Sequence, residues 1–322
     1  MTARANMEAR IGALMDGDII GDAAVAELHL LSAERITPEQ LAGAADAAMA
    51  RALPFPEAPD AVDCCGTGGD GRNTYNISTA TAIVVAACSV RVAKHGNRAV
   101  SSRAGSADVL EALGVETATR PEHCAKIFEQ TGITFLYAPL FHPGFATVAP
   151  VRKALNRRTI FNLLGPLCNP ARVKRQLIGT YDASLNAIMA EAAELLGRTQ
   201  AMVVHGDDGT DECSITGISH YVRLNDGRFS FSTLMPEDVG LPTHAGRALV
   251  GGDAHQNARA LRDVLGGLDC PYTDAVLLNS AALLHVAGAV TDLREGVTLA
   301  RRAITSGDAA RKLAQLIEAS HA

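Results

Sequence analysis

From residue 62 onward, short β-branched apolar stretches alternate with Ala- and Leu-rich stretches of helical length, and this rhythm restricts the fold more than any other feature. Strands are expected at Val62–Cys65, Val90–Lys94, Ile133–Ala138, Gln176–Thr180, Ala201–His205 and Ala275–Asn279. Between them, Leu185–Leu196 and Asn257–Leu265 carry apolar residues at helical spacing. Strands separated by helices pair in parallel, because each return to the sheet uses a crossover helix that covers a face. Tyr221–Leu224 and Arg228–Ser232 flank Asn225-Asp226-Gly227, which favours a tight hairpin. Residues 7–52 read as short helices. Thr37-Pro38-Glu39-Gln40 is a helix start, with a hydroxyl at the cap and Pro just inside, and Leu41, Ala45 and Met49 follow at helical spacing. The Pro-rich stretch 54–60 reads as a linker. Residues 143–170 read as a helical insertion that packs on the N-terminal helices. The expected fold is α/β, in two domains. A small all-helical domain comprises residues 1–60 with 143–170. A larger α/β domain, 61–142 and 171–322, has a central mostly parallel sheet flanked by helices.

Composition supports such a core: of 322 residues, 48% are hydrophobic and 20% charged. Aromatic residues make up 4%, there is no Trp, and the net charge is -6. Neither a stacking platform nor a basic footprint for nucleic acid is present, so no nucleic-acid partner is expected. The longest apolar runs, Ala80–Cys88 and Ala281–Val290, are too short to span a bilayer. Met1–Ile11 has no apolar core of the kind found in secretory signals. The 7 Cys contain no C-x-x-C pair and read as reduced thiols. A cytoplasmic location without a membrane partner is expected.

Four stretches carry candidate chemistry. The first, CGTGGDGRNTYNIST, follows an expected strand and leads into a helix beginning near Ser78. Gly66, Gly68 and Gly69 let backbone amides approach an anion, and the helix start adds aligned N–H groups. Ser78 and Thr79 either cap that helix or reach a phosphate or metal; a plain strand-to-helix turn is the simpler reading of this stretch alone. The second is KHGNR followed by SSRAGSAD. Lys94, Arg98 and Arg103, with Ser101, Ser102 and Ser106, form a donor set suited to a pyrophosphate. Ser106 is equally placed to cap a helix over Ala107–Leu113. The third, VVHGDDGTDE, puts Asp211 and Glu212 at the carboxyl end of a strand, where open α/β sheets bind ligands. Read alone this is an acidic turn. Beside two anion-binding loops, the pair suits Mg²⁺, which takes one or two carboxylates plus phosphate oxygens. The fourth joins FHP, with His142, to VAPVR, with Arg152, and to TIFNLLGPLCNP. An Arg near an apolar Pro-lined wall fits an aromatic carboxylate, and a structural helix-turn unit fits the same residues.

In this order, GTGGDGRNTYNIST, KHGNRAVSSRAGSADVLEALG, FHPGFATVAPVRKALNRRTIFNLLGPLCNPA and VVHGDDGTDE resemble the anthranilate phosphoribosyltransferases of tryptophan biosynthesis. LVGGDAHQNA, TDAVLLNSAALLHVAG and AITSGDAARKL continue the likeness to the C-terminus. The resemblance implies transfer of the phosphoribosyl group from phosphoribosyl pyrophosphate to the amino group of anthranilate, with inversion and release of pyrophosphate. It implies Mg²⁺, two ions with the donor bound, and a homodimer. Matched position by position, Gly66, Gly68, Gly69, Asp70, Thr74, Asn76, Ser78, Thr79, Lys94 and Ser106 fall where the family binds the donor. Ser78, Asp211 and Glu212 fall at the magnesium positions. Gly66, His95, Asn97, His142 and Arg152 fall at the acceptor positions, with Gly165 on the wall beside them. Lys94, Arg152 and His95 are the implied catalytic residues. An arylamine is neutral near pH 7 and needs no strong base, so no general base is assigned; His95 is the nearest candidate proton acceptor. The N-terminal helical segment reads about one hairpin shorter than the family's. LNRR at 155–158 and Thr210 also depart from its usual pattern.

Two other functions would need different residues. A pyrimidine-nucleoside phosphorylase would need a base-reading Arg and Lys in place of His95-Gly-Asn97 and the FHP stretch. A nucleic-acid-binding relative of the same fold would show a basic stripe and a degraded Asp-Glu pair. The chain has neither set of features.

Overall fold

A computed structural model of the chain describes residues 1–99 and 103–322, apart from the side chain of Glu34. Three helices open it: α1 (Ala3–Asp16), α2 (Gly21–Leu30) and α3 (Pro38–Ala50). Helix α3 starts as its sequence dictates. Thr37 Oγ1 accepts from the Gln40 amide, Gln40 Oε1 accepts from the Thr37 amide, and Pro38 takes a position that has no partner to lose. There follow β1 (Val62–Gly66), α4 (Ile77–Ala87), β2 (Val92–Gly96), α5 (Ser106–Leu113), α6 (Pro121–Thr131) and β3 (Ile133–Tyr137). Next come α7 (Ala138–Phe141), α8 (Gly144–Leu155), α9 (Leu164–Leu167), β4 (Arg175–Gly179), α10 (Leu185–Leu195), β5 (Gln200–Gly206), β6 (Ser219–Asn225) and β7 (Arg228–Leu234). Four helices close the chain: α11 (Ala254–Leu265), α12 (Pro271–Ala287), α13 (Leu293–Thr305) and α14 (Asp308–Ser320).

The α/β architecture expected from the sequence is present. The 7-stranded sheet has the order β3-β2-β1-β4-β5-β6-β7. Strands β1 to β5 run parallel, and β6 and β7 add an antiparallel hairpin. Its turn residues Asp226 and Gly227 both have positive φ, as a two-residue turn between twisted strands requires. The strand order reverses between β1 and β4, which opens a crevice at their carboxyl ends. One sheet face packs under α4 and α12, with α13 and α14 behind them. On the other face, one apolar cluster runs from Ile11, Leu14 and Leu41 through Leu164 to Met189 of α10 and Val203 of β5. Helix α8 of the 143–170 stretch packs on α1 and α2. No described helix is long and apolar enough to cross a membrane. All seven cysteines are free thiols.

Two expectations are corrected. Ala275–Asn279 is not a strand but part of α12, whose residues Tyr272–Leu284 are all buried. A helix buried on every side loses its 3.6-residue period, so a short piece of it reads as a buried strand; length and Pro271 in the first turn are the features that distinguish it. The stretch 54–60 is not a free linker. Its prolines prevent a helix, yet Phe55 enters an apolar seam with Phe128 and Phe141, at ring separations of 6.3 and 6.0 Å. The Leu53 amide donates to Phe141 O and the Ala58 amide to Ala171 O, so three chain passages lie side by side there.

Candidate active site

The crevice between β1 and β4 is built on a pair of glycines. Gly66 and Gly179 end the two strands in register, and the Asp211 main chain and carboxylate rest on both. A Cβ on Gly66 would stand 2.1 Å from Asp211 Oδ2, and one on Gly179 would stand 1.6 Å from Asp211 O. Only glycine admits Asp211 here. Beyond Gly66 the chain turns through Gly68, Gly69 and Gly71, all in the left-handed region. The turn presents the Gly68 amide to Asp211 Oδ2 at 2.7 Å. At the start of α4, the Ser78 amide donates to Glu212 Oε1 at 3.1 Å. The two anion-binding amides and the two carboxylates therefore meet at one point.

Lys94 enters from β2 below this point. It is 3% exposed, and Nζ donates to Cys64 O at 2.7 Å and to Ser78 Oγ at 3.2 Å. Burial acts to lower its pKa, but Cys64, Cys65, Asp63 and Glu212 outweigh that and leave it raised, so the ammonium stays charged. Burial, joined by the charge of Asp70, holds the Asp211 carboxyl above the usual range. Burial and the adjacent Asp211 push Glu212 up to about 8. Among the described residues neither carboxylate has a basic side chain within ion-pair distance, and no group of three or more His, Cys, Asp and Glu side chains forms a complete metal cage. Two crowded, cation-deficient carboxylates fit a hard ion that draws its remaining ligands from phosphate oxygens and water. The donor set thus suits Mg²⁺.

Other donor-side positions frame this centre. Asp70 Oδ1 accepts from the Arg72 amide within the turn. Thr74 pairs with Val250, and the Gly251 amide donates to Asn73 O. Asn76 Nδ2 donates to Ala104 O, while its Oδ1 accepts from Asn257. The LVGGDAHQN stretch is therefore a brace for the glycine-rich turn. Thr79 Oγ1 is buried with no partner among the described residues. Ser106 lies against Gly96 at the start of α5. It is not the cap of that helix: Gly105 holds the cap position, and Asp108 accepts from the Gly105 and Ala99 amides. Arg98 does not join the donor set. Asp108 and Glu111 pair with its guanidinium and Tyr137 accepts from it, which turns the charge away from Lys94. Arg103 is exposed; Ser101 and Ser102 lie outside the described residues.

The acceptor candidates form a chain of rings. His95 Nδ1 lies 2.9 Å from Gly165 O and His142 Nε2 lies 2.7 Å from Cys168 O, so those nitrogens carry the protons. The two imidazoles are 5.3 Å apart, His142 meets Phe145 at 5.6 Å, and Phe145 meets Phe161 at 5.8 Å. Arg152 reaches over Phe161 from α8, 5.5 Å from its centroid. Half-buried, it has no acidic partner within ion-pair distance among the described residues, and burial lowers its pKa. His95 is driven down to about 3 by burial, with His142 adding to the effect, and burial lowers His142 as well. Asn97 sits exposed just past β2, and its Oδ1 accepts from the Arg98 amide; no described contact joins it to His142 or Arg152.

Several residues of the site were not singled out from the sequence. Gly179 looks like an ordinary strand end. Asp63 is buried in β1, accepts from the His95 amide and from Gln176 Nε2, and burial raises its pKa against the opposing pull of Lys94. Arg158 reaches from the loop after α8 to donate to Gly69 O, with its guanidinium 3.8 Å above the Tyr181 ring. Its place in LNRR looked like a connecting turn, and only the fold brings it to the glycine-rich loop.

Residues 58–310 match the glycosyl transferase family, a/b domain. An anthranilate phosphoribosyltransferase of Novosphingobium aromaticivorans is 47% identical over 303 residues, covering 94% of this chain and 92% of that relative. One of Anaeromyxobacter dehalogenans is 50% identical over 88% of this chain and 84% of its own length. The crystal structure of the Thermus thermophilus anthranilate phosphoribosyltransferase superposes with a TM-score of 0.94 at 41% identity, over 99% of this chain and 96% of that one. The Saccharomyces cerevisiae enzyme in complex with PRPP and Mg superposes with a TM-score of 0.86 at 29% identity, over 99% and 92%. With the glycine-seated Asp-Glu corner at the sheet crevice, these likenesses make the chain a member of the anthranilate phosphoribosyltransferase family, whose reaction is transfer of a phosphoribosyl group to anthranilate.

Proposed function

We propose that the donor is phosphoribosyl pyrophosphate, bound with its diphosphate over the Gly66–Gly69 turn, and that anthranilate lies between Arg152 and the His95–His142 pair. The observation that carries this reading is the seating of Asp211 on Gly66 and Gly179, which brings the carboxylate pair onto the two anion-binding amides. Carboxylate oxygens on the Gly68 and Ser78 amides stand where phosphate oxygens would bind. Asp70, Thr74, Asn76, Thr79 and Ser106 complete the donor site around them. Ser78, Asp211 and Glu212 would hold Mg²⁺, with two ions when the donor is in place; that the yeast relative was solved in complex with PRPP and Mg supports the use of the metal. When bound, the metal would neutralise charge developing on the leaving pyrophosphate. Lys94, already charged and fixed by Cys64 O and Ser78 Oγ, does the same from below without reorganising. Arg152 pairs with the anthranilate carboxylate and aims the amine at the anomeric carbon. The C–N bond forms as the C–O bond breaks, and its electron pair leaves on pyrophosphate. The nitrogen's surplus proton passes to water or pyrophosphate. His95, held neutral by burial, is too weak a base to take it permanently; its Nε2 is buried with no partner among the described residues.

The wider reading is also proposed. The chain divides into a helical domain of residues 1–60 with 143–170 and an α/β domain of 61–142 with 171–322. Its free thiols fit the cytoplasm. Ile20 and Leu30, 70% and 71% exposed beside and on α2, fit a homodimer built through the N-terminal helices. Replacing Asp211 and Glu212 together by Ala tests the central claim. It should abolish Mg²⁺-dependent turnover by at least a thousandfold while leaving anthranilate binding intact; retained activity would overturn the metal assignment.

A further inference from the structure

Helix α12 is almost wholly buried, and at its middle it carries a fully buried asparagine with every polar atom engaged. Asn279 Oδ1 accepts from the Cys213 amide at 2.9 Å, and Nδ2 donates to Cys213 O at 2.9 Å and to Ala275 O at 2.9 Å. The side chain thus pairs with Cys213 as a neighbouring strand would, fixing the residue that directly follows Asp211-Glu212. Two turns earlier on the same face, about 10 Å along the helix, Tyr272 OH donates to Asn76 O and its ring stacks on Tyr75 at 4.6 Å. One rigid helix therefore grips the donor loop with one residue and the carboxylate loop with another. α12 lies under β1, β4 and β5, whose carboxyl ends carry both loops. A buried amide is costly in an apolar helix unless its bonds are made, and packing alone would be served by Leu. Ser280, its neighbour, is buried with no partner among the described residues and supplies the contrast.

We infer that Asn279 is a positioning residue for the magnesium carboxylates, holding Asp211 and Glu212 in register with the Ser78 amide. This rests on the metal reading above and adds what sets its geometry. The test is a titration with Mn²⁺ followed by electron paramagnetic resonance, with inorganic pyrophosphate as co-ligand, alongside thermal unfolding. Asn279→Leu and Asn279→Asp should each weaken the metal midpoint about tenfold or more. Leu278→Ala, which opens a cavity in the same helix, should lower the unfolding temperature yet keep the midpoint, and Ser280→Ala should change neither. If the Asn279 variants lose stability as Leu278→Ala does but bind metal like the unaltered chain, the inference is overturned and the residue is a core residue only. Should Asn279→Leu fail to fold, the same criterion is read from Asn279→Asp, which keeps the acceptor oxygen. Absence of pyrophosphate-dependent Mn²⁺ binding in the unaltered chain would instead overturn the metal reading together with this inference.

Discussion

Adding one methyl group at Gly179 should disable the enzyme although the residue touches no substrate. The new Cβ would stand 1.6 Å from Asp211 O and 2.5 Å from its carbonyl carbon, both main-chain atoms that cannot rotate aside. Ordinary contact lies near 3.4 Å, so the Asp211 backbone must retreat by roughly 2 Å, the difference between those separations. Mg²⁺ tolerates little departure from its contacts of about 2.0–2.1 Å, so a carboxylate carried that far leaves its coordination. Overpacking of this kind costs about 1–3 kcal/mol of stability, a melting shift of several degrees. Gly179→Ala should therefore lower kcat/KM by about a hundredfold or more and raise the Mg²⁺ midpoint. Gly66→Ala meets the Asp211 side chain instead, at 2.1 Å; a carboxylate can swing away, so it should lose metal affinity with a smaller stability loss. Gly217→Ala, whose Cβ meets nothing within 4 Å, is the control. The assay follows the decay of anthranilate fluorescence across a Mg²⁺ series, with melting recorded in parallel. Gly179→Ala within about twofold of the control in both kcat/KM and Mg²⁺ midpoint would refute the reasoning.

Arg152→Ala should raise the anthranilate KM about ten- to a hundredfold and leave donor affinity nearly unchanged; a collapse of donor binding would move Arg152 out of the acceptor site. Glu212 sets a pH dependence, since its folded pKa of about 8 lies above the ordinary 4.5. The folded chain thus binds this proton more tightly than the unfolded chain, and without metal stability falls as pH rises from about 4.5 to about 8. Compared with Glu212→Gln under the same conditions, Mg²⁺ with pyrophosphate should release close to one extra proton at pH 7 and almost none at pH 9.5, read by calorimetry in buffers of different ionisation enthalpy. Equal release at both values would count against a protonated Glu212.

The parts of the site legible in the sequence are those whose chemistry is local. A glycine-rich strand-to-helix turn, an Asp-Glu pair at a strand end and a capping box each declare themselves within a few residues, because φ requirements and amide partners are short-range. Gly179 and Asp211 are 32 positions apart in the chain, and their contact depends on β4 pairing with β5. Arg158 reads as turn chemistry until the fold brings it to Gly69. Asn279 reads as strand because full burial erases the helical period. Arg98 shows the opposite failure. Its sequence neighbourhood suggested a phosphate ligand, but Asp108 and Glu111, a helix turn apart on α5, hold it.

The burial of Lys94 bears on how the enzyme responds to its ionic surroundings. The site lysine is engaged inside the protein by Cys64 O and Ser78 Oγ, so its charge is shielded from dissolved salt. Screening acts mainly on solvent-exposed charges separated by about 10 Å or more. If the donor binds over this cradle as proposed, its affinity should change little across moderate salt at fixed Mg²⁺, which a donor titration over a salt series would check.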